Sequence, residues 1–332
     1  MIAASVSGAE LPAHEAPSLL DRRLLFVTGK GGVGKTSVAA AIAHLAARSG
    51  RRTLVCEMDA KGALADAFDT MALRFEPRPV EPDLFAMAMN TEDSLREYLR
   101  LFVKIPLLGR IGPLARTFDF VADAAPGVKE ILGVGKLCYE VRERTYDIVV
   151  VDAEASGHIV SQIGAPKVIS DLVQVGLVRD QTGWMLDILH DPATTGVVVV
   201  TTPEEMPVTE TLDLVAVLER DTGVAATAIV ANRVQHGLFD DGQRDAFDGI
   251  CSVDTVEPML VEAAGRAVRT VLAAARITES RAKVGAGHLD RLHRGLPDDL
   301  DVLEVPELYT RASGRRVVAL VAEALAEQLG GA

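Results

Sequence analysis

Gly29-Lys30-Gly31-Gly32-Val33-Gly34-Lys35-Thr36 is the stretch from which the architecture of this chain follows. It fits the pattern G-x-x-x-x-G-K-[ST], and its surroundings are those the pattern requires. The apolar run Leu24-Leu25-Phe26-Val27 leads into it through Thr28 and reads as a strand. From Lys35 to Arg48 the larger apolar residues Val38, Ile42 and Leu45 recur at helical spacing, and Gly50 is placed to stop the helix. Glycines at Gly29, Gly31, Gly32 and Gly34 let backbone N–H groups converge on phosphate oxygens around Val33, and the helix N-terminus adds a favourable dipole. Lys35 is expected to reach the β- and γ-phosphates, and the Thr36 hydroxyl to hold Mg2+, with Ser37 completing the cradle. The expected cofactors are therefore ATP and Mg2+.

The alternation of strand and helix continues outward. Thr53–Cys56 runs into Glu57-Met58-Asp59, Leu84–Met89 follows Pro82-Asp83, and Ile148–Val151 ends at Asp152. Val197–Val200 precedes Thr201-Thr202-Pro203, Ala228-Ile229-Val230 precedes Ala231-Asn232, and Val302–Val305 ends at Pro306. Runs apolar on both faces suit a parallel sheet covered by helices. Helices are expected from Thr91, with Leu95, Tyr98, Leu99 and Phe102 on one face, and over Thr209–Arg220, Val261–Arg276 and Arg315–Leu329. No internal repeat or low-complexity tract interrupts the pattern. The expected fold is α/β, a mostly parallel open sheet flanked by helices of the P-loop NTPase type.

Length and composition bound the rest. At 332 residues and 48% hydrophobic, the chain has material for two domains, or for one large α/β domain with an insertion. We take residues 1–20 as a weakly ordered extension and 21–332 as one ATPase domain with a helical insertion around 91–145. The net charge of −13 argues against nucleic acid as a partner, because that binding needs basic surface. Cys56, Cys138 and Cys251 lie far apart without a CxxC, which leaves neither a disulfide framework nor a zinc or iron–sulfur spacing. Apolar runs stay far below the roughly 18 residues of a membrane span, and the first 20 residues lack the pattern of a signal peptide. A cytoplasmic protein is expected.

Lys30, directly after the first glycine, gives a loop that resembles the deviant Walker A of the dimeric ATPases that include the division-site, chromosome-partition and nitrogenase iron proteins. That resemblance implies that Lys30 crosses a dimer interface to the partner's phosphates, as an arginine finger does. A solvated loop lysine is the alternative. Cys56-Glu57-Met58-Asp59-Ala60-Lys61-Gly62-Ala63-Leu64-Ala65-Asp66-Ala67-Phe68 resembles the first switch of a narrower family, the one containing the arsenite-pump ATPase and the tail-anchored-protein targeting factor. Asp59 would there activate the attacking water; a carboxylate capping the next turn is the alternative.

Further segments resemble the same family in the same order. Ala125-Pro126-Gly127-Val128-Lys129-Glu130 is similar to its P-G-x-x-E element, and Tyr146 to Asp152 with Ala153–His158 to its Walker B strand and second switch. By that resemblance Asp152 serves the magnesium ion through water, and Asn232 reads adenine, its amide able to donate and accept. Pro306-Glu307-Leu308 and Gly314 match the segment that closes over the base. The chain departs from the family where Ala60 replaces a proline and Ala153-Glu154-Ala155 replaces Thr-Ala-Pro. Glu154 brings an extra carboxylate that could slow hydrolysis. The cysteines that clamp zinc in the targeting factor or bind arsenite in the pump are absent.

Function classes remain open on this reading. A dimeric switch ATPase, homomeric or paired with a related subunit, would couple nucleotide state to a hydrophobic client or a membrane partner. The apolar stretch from Tyr98 to Val121 reads either as helices packed on the sheet or as part of a client groove. A nucleotide-binding regulatory subunit with little turnover is one alternative, and a partition- or positioning-type ATPase another. His158 is expected to be a structural hydrogen-bonder, and Trp184 and Cys56 core residues.

Overall fold

The computed structural model describes residues 18–103, 127–172, 177–252 and 256–329. An eight-stranded sheet runs through them in the order β3-β4-β2-β5-β1-β6-β7-β8. The strands are β1 (Leu24–Gly29), β2 (Thr53–Glu57), β3 (Arg78–Glu81), β4 (Leu84–Ala88), β5 (Ile148–Ala155), β6 (Thr195–Thr201), β7 (Ala226–Val234) and β8 (Asp301–Pro306). Every neighbouring pair is parallel except β3 with β4, which is an antiparallel edge. The mostly parallel open sheet expected from the apolar runs is the one observed.

Alternation along each strand divides the core in two. Leu25 and Val27 of β1 face a layer made with helix α1 (Lys35–Arg48) and the final helix, α11 (Arg315–Leu329). Leu24 and Phe26 face the opposite layer. That layer contains α4 (Val128–Glu143), α5 (Ser156–Leu172), α6 (Leu177–Leu189), α7 (Glu205–Thr222) and the end of α10 (Ala267–Gly295). Because both faces are covered, the central strands β1, β2 and β6 are buried at every position. The shorter helices α2 (Ala63–Ala67), α3 (Thr91–Tyr98), α8 (Asp241–Ser252) and α9 (Val256–Ala264) complete the described elements, with a π turn over Leu99–Val103.

The structure departs from expectation at three places. The helix expected over Val261–Arg276 is two helices, because Gly265 takes φ +88° and ends α9 before α10 begins. Strand β3 was not expected, since Arg78-Pro79-Val80-Glu81 is charged and carries a proline; it is tolerated because it is an edge. Helix α5 runs through Pro166, although proline ordinarily breaks a helix interior.

Residues 1–17 of the expected extension lie outside the described residues, while Leu19–Asp21 form one 3-10 turn with Leu19 buried. Of the apolar stretch from Tyr98 to Val121, residues 104–121 also lie outside them. No described helix is long and apolar enough to cross a membrane.

Candidate nucleotide-binding site

The carboxyl ends of the parallel strands gather the chemistry at one edge of the sheet, where open α/β folds bind ligands. Loop 29–36 leaves β1 between β5 and β6 and enters α1. Two of its glycines are sterically required. A Cβ at Gly29 would stand 2.1 Å from the Val200 carbonyl oxygen, and one at Gly34, where φ is +94°, would stand 2.3 Å from Asn232 Nδ2.

Beneath the loop, the Thr36 hydroxyl donates to Asp152 Oδ2 at 2.7 Å. Asp152 is 6% exposed, and burial pushes its carboxyl up to about 6, with Glu57 adding to the rise and the Thr36 hydroxyl and Lys35 opposing it. Lys35 Nζ donates to the Lys30 carbonyl at 3.3 Å. Burial lowers the Lys35 ammonium below the ordinary lysine range, against the pull of Asp152.

Glu57 was not singled out from the sequence. Strand register sets it opposite Asp152, and it is 2% exposed. Its Oε1 accepts from the Ala63 N–H at 2.9 Å, the first residue of α2, while Oε2 has no partner among the described residues. A hydroxyl and two buried carboxylates make an all-oxygen donor set, which suits a hard divalent cation such as magnesium. No group of three or more His, Cys, Asp or Glu side chains arranged for a metal occurs among the described residues. Magnesium ordinarily needs only one or two carboxylates, with phosphate and water oxygens completing its octahedron. The residues present therefore fit the ion.

Asp59 is half exposed and forms an ion pair with Lys61, whose ammonium is held above the usual lysine range by that carboxylate. Met58 N–H donates to the Asp152 carbonyl at 3.1 Å, tying the start of this turn to β5. Ala60 takes φ +42°, a value closed to proline, so the alanine and the turn belong together.

Lys30 does not project freely. Its ammonium pairs with Glu210 of α7, whose other oxygen accepts from Ser156 Oγ at 3.2 Å. Neither partner could be read from the sequence, being 180 and 126 residues away from Lys30.

Asn232 packs under the loop: Nδ2 donates to the Val33 carbonyl at 2.8 Å, and Oδ1 accepts from the Arg233 N–H at 3.0 Å. One N–H and one lone pair of the amide remain for a ligand. Glu307 N–H donates to the Val234 carbonyl at 2.9 Å, which brings Pro306 and Glu307 alongside the chain two residues beyond Asn232. On the other side of Thr36 and Ser37 a cavity of about 580 Å3 extends past Asp66 to Ser313 and Gly314, within the ordinary range for small-ligand sites.

His158 is exposed, with Nδ1 3.9 Å from the Glu154 carboxylate, beyond hydrogen-bond distance, rather than a structural hydrogen-bonder. Cys56 is buried in the core, where desolvation raises its thiol well above the usual range. Trp184 packs partly buried against the same layer, with the Arg142 guanidinium 5.0 Å from its ring centre.

Comparison with known proteins agrees with this arrangement. Residues 22–181 match the model of the family described as anion-transporting ATPase. The chain is 30% identical over 330 residues to ATPase BagA of Mycobacterium tuberculosis, covering 92% of this chain and 93% of that one. It is 28% identical over 176 residues to ATPase get3 of Neurospora crassa, covering 51% and 52% of the two chains. It is 28% identical over 147 residues to ATPase ASNA1 homolog 1 of Paramecium tetraurelia, covering 43% and 44%. Full-length similarity to the first, the family match and the phosphate-loop geometry converge: the chain belongs to the anion-transporting ATPase family.

Proposed function

We propose that this protein is a magnesium-dependent ATPase that works as a dimeric switch in the cytoplasm, coupling nucleotide state to an apolar client or a partner subunit. The observation that carries this reading is the Thr36–Asp152 hydrogen bond beneath a phosphate loop whose Lys35 stands beside the same carboxylate. Gly29 to Ser37 cradle the phosphates through backbone N–H groups, and Lys35 neutralises the β- and γ-oxygens. Magnesium, when bound, would supply charge neutralisation on those oxygens, and the Thr36 hydroxyl and the Asp152 carboxylate are the groups that would hold it. Asp59 leaves Lys61 and accepts the proton of the water that attacks the γ-phosphorus, while the bond to the bridging oxygen breaks and ADP departs. Asn232 reads adenine, with Pro306 and Glu307 at its edge. Lys30 leaves Glu210 and reaches the phosphates of the other subunit, so that the site is complete only in the dimer. This is the behaviour of the deviant Walker A class.

A second reading, a regulatory subunit with little turnover of its own, draws on a different observation. Both groups assigned to hydrolysis, Lys30 and Asp59, are held by partners within their own chain. One experiment separates the two. ATP turnover is measured against protein concentration for the wild type, Asp59→Asn and Lys30→Ala, with molecular mass in ADP and in a non-hydrolysable ATP analogue. The switch reading expects turnover that rises with concentration, collapses in Asp59→Asn and falls in Lys30→Ala, with dimer mass in the analogue. Tight ATP binding without turnover in the wild type would overturn it in favour of the regulatory subunit. Unchanged turnover in Asp59→Asn would reduce Asp59 to a turn cap.

A further inference from the structure

Helix α10 is basic in an acidic chain. Its 29 residues carry six Arg and Lys side chains against two carboxylates, while the whole protein has a net charge of −13. One of those carboxylates, Glu279, turns inward, where the Arg244 guanidinium meets it at 3.1 Å. On the inner side of the helix Ala282, Leu289 and Leu292 are buried, the last two in the core layer shared with α7.

The outer side is not the plain polar surface of a solvated helix. Ile277 and Val284, 55% and 59% exposed, stand seven residues apart and so share one line along the helix. Ala273, Ser280 and Gly287 fill in beside them with small side chains. Arg276 and Lys283 run along one flank at the same seven-residue spacing, Arg281 lies on the other, and Arg291 continues the apolar line. All of these residues are exposed. Arg281, Lys283 and Arg291 have no ion-pair partner among the described residues, and Arg276 donates to the Cys251 carbonyl at 2.9 Å, which leaves its charge uncompensated.

Charge and apolarity together narrow what covers this face. A second copy would bring like charge against like charge. Nucleic acid would satisfy the cations but has no use for Ile277 and Val284 in their midst. An anionic bilayer takes both: the branched side chains enter the boundary between headgroups and acyl chains, and the Arg and Lys stems reach back to the phosphates. The acidic remainder of the chain sets the orientation, because the surface that attracts this helix repels the rest. We propose that the outer face of α10 docks the protein peripherally on a membrane surface rich in anionic lipid, with Ile277 and Val284 inserted. Two branched side chains make a shallow anchor, so the docking is reversible and depends on lipid charge. This inference is independent of nucleotide hydrolysis.

The test is sedimentation of the full-length protein with large unilamellar vesicles of phosphatidylcholine, alone or with about one third phosphatidylglycerol, at about 0.1 M salt. Saturable binding to the anionic vesicles is expected, at least about tenfold tighter than to phosphatidylcholine alone. Each cation near such a surface is worth about fivefold, so Arg281→Gln combined with Lys283→Gln should weaken binding about 25-fold. Ile277→Ser combined with Val284→Ser leaves every charge in place and should weaken it at least about fivefold. All four positions are exposed, so the melting temperatures should match the wild type, which guards against misfolding. In Val284→Trp the emission of the new indole should shift to the blue on anionic vesicles, whereas Trp184, the single tryptophan of the wild type, should not shift. Equal binding to the two vesicle types, no saturation with the anionic ones, or unshifted emission in Val284→Trp would each overturn the proposal. So would binding lost in the charge variant but unchanged in the apolar one, which would mark a purely electrostatic face suited to an acidic protein or a nucleic acid.

Discussion

A carboxylate buried as deeply as Asp152 is costly to ionise, and that cost is the chemistry of the site. Its pKa of about 6 lies above the ordinary aspartate value of 3.8, so the folded protein takes up a proton that the unfolded chain has released. The sign follows. The stabilising contribution is full below pH of about 4 and is lost as pH rises through about 6, a loss on the order of 3 kcal/mol. Asp152→Asn removes this loss. Without nucleotide, the variant should therefore gain stability relative to the wild type between pH of about 4 and 6, and keep the gain at pH 7. Magnesium-dependent tightening of ATP binding should vanish at the same time. Denaturant midpoints measured across that range check the first half, and a variant whose relative stability is flat with pH would refute it.

Lys30 supplies the second prediction at this scale. Its half-exposed pair with Glu210 is worth up to about 1 kcal/mol, or about fivefold in an equilibrium. Two such pairs open when two copies associate, so Glu210→Gln should lower the protein concentration for half-maximal ATP turnover by up to about 25-fold, and a rise would mean that the pair assists the dimer. Loop residues 29–37 were legible in the sequence because their chemistry is local. Glu57 and Glu210 were not, because strand register and helix packing bring them in.

Elements were legible wherever one rule governs them. The central strands are apolar at successive positions because both faces are covered, and α11 begins at Arg315 and ends at Leu329 as its periodicity implied. Where two rules compete, the sequence misleads: Pro79 argues against a strand until the strand is known to be an edge, and Gly265 breaks a periodicity that continues across it. One such local device links distant elements. The N-terminus of α11 is tied to α2 and β3 by Arg315, whose Nε and Nη2 donate to the Phe68 and Val80 carbonyls, both at 2.7 Å. Its own N–H donates to Asp69 Oδ2 at 3.0 Å. Arg315→Met keeps the aliphatic stem and removes both side-chain bonds. It should destabilise the protein by about 1–3 kcal/mol, read as a lower urea midpoint with an unchanged slope. A change below about 0.5 kcal/mol would mean that water replaces the guanidinium at both carbonyls.

At the scale of the whole molecule, each copy carries a net charge of −13, and the proposed working state brings two copies together with their phosphates. Like charge opposes that approach over a range set by the Debye length, about 10 Å at 0.1 M salt. The Lys30–Glu210 pair opposes it too, since it holds in cis the cation assigned to act in trans, and as a partly exposed pair it also weakens with salt. Attraction between Lys30 and the partner's phosphates works in the other direction, but in a closed, water-poor interface it is screened far less than charges on open surface. The two opposing terms are therefore the ones that added salt removes. Raising ionic strength from about 20 to about 200 mM, which shortens the Debye length about threefold, should lower the protein concentration at which turnover is half-maximal. The shift should be smaller in Glu210→Gln, in which the cis pair is already gone. Turnover titrations at the two salts, with mass in the non-hydrolysable analogue as a direct count of dimers, read both effects. If salt instead raises that concentration in both proteins, attraction between oppositely charged surface patches governs assembly, and the net charge does not.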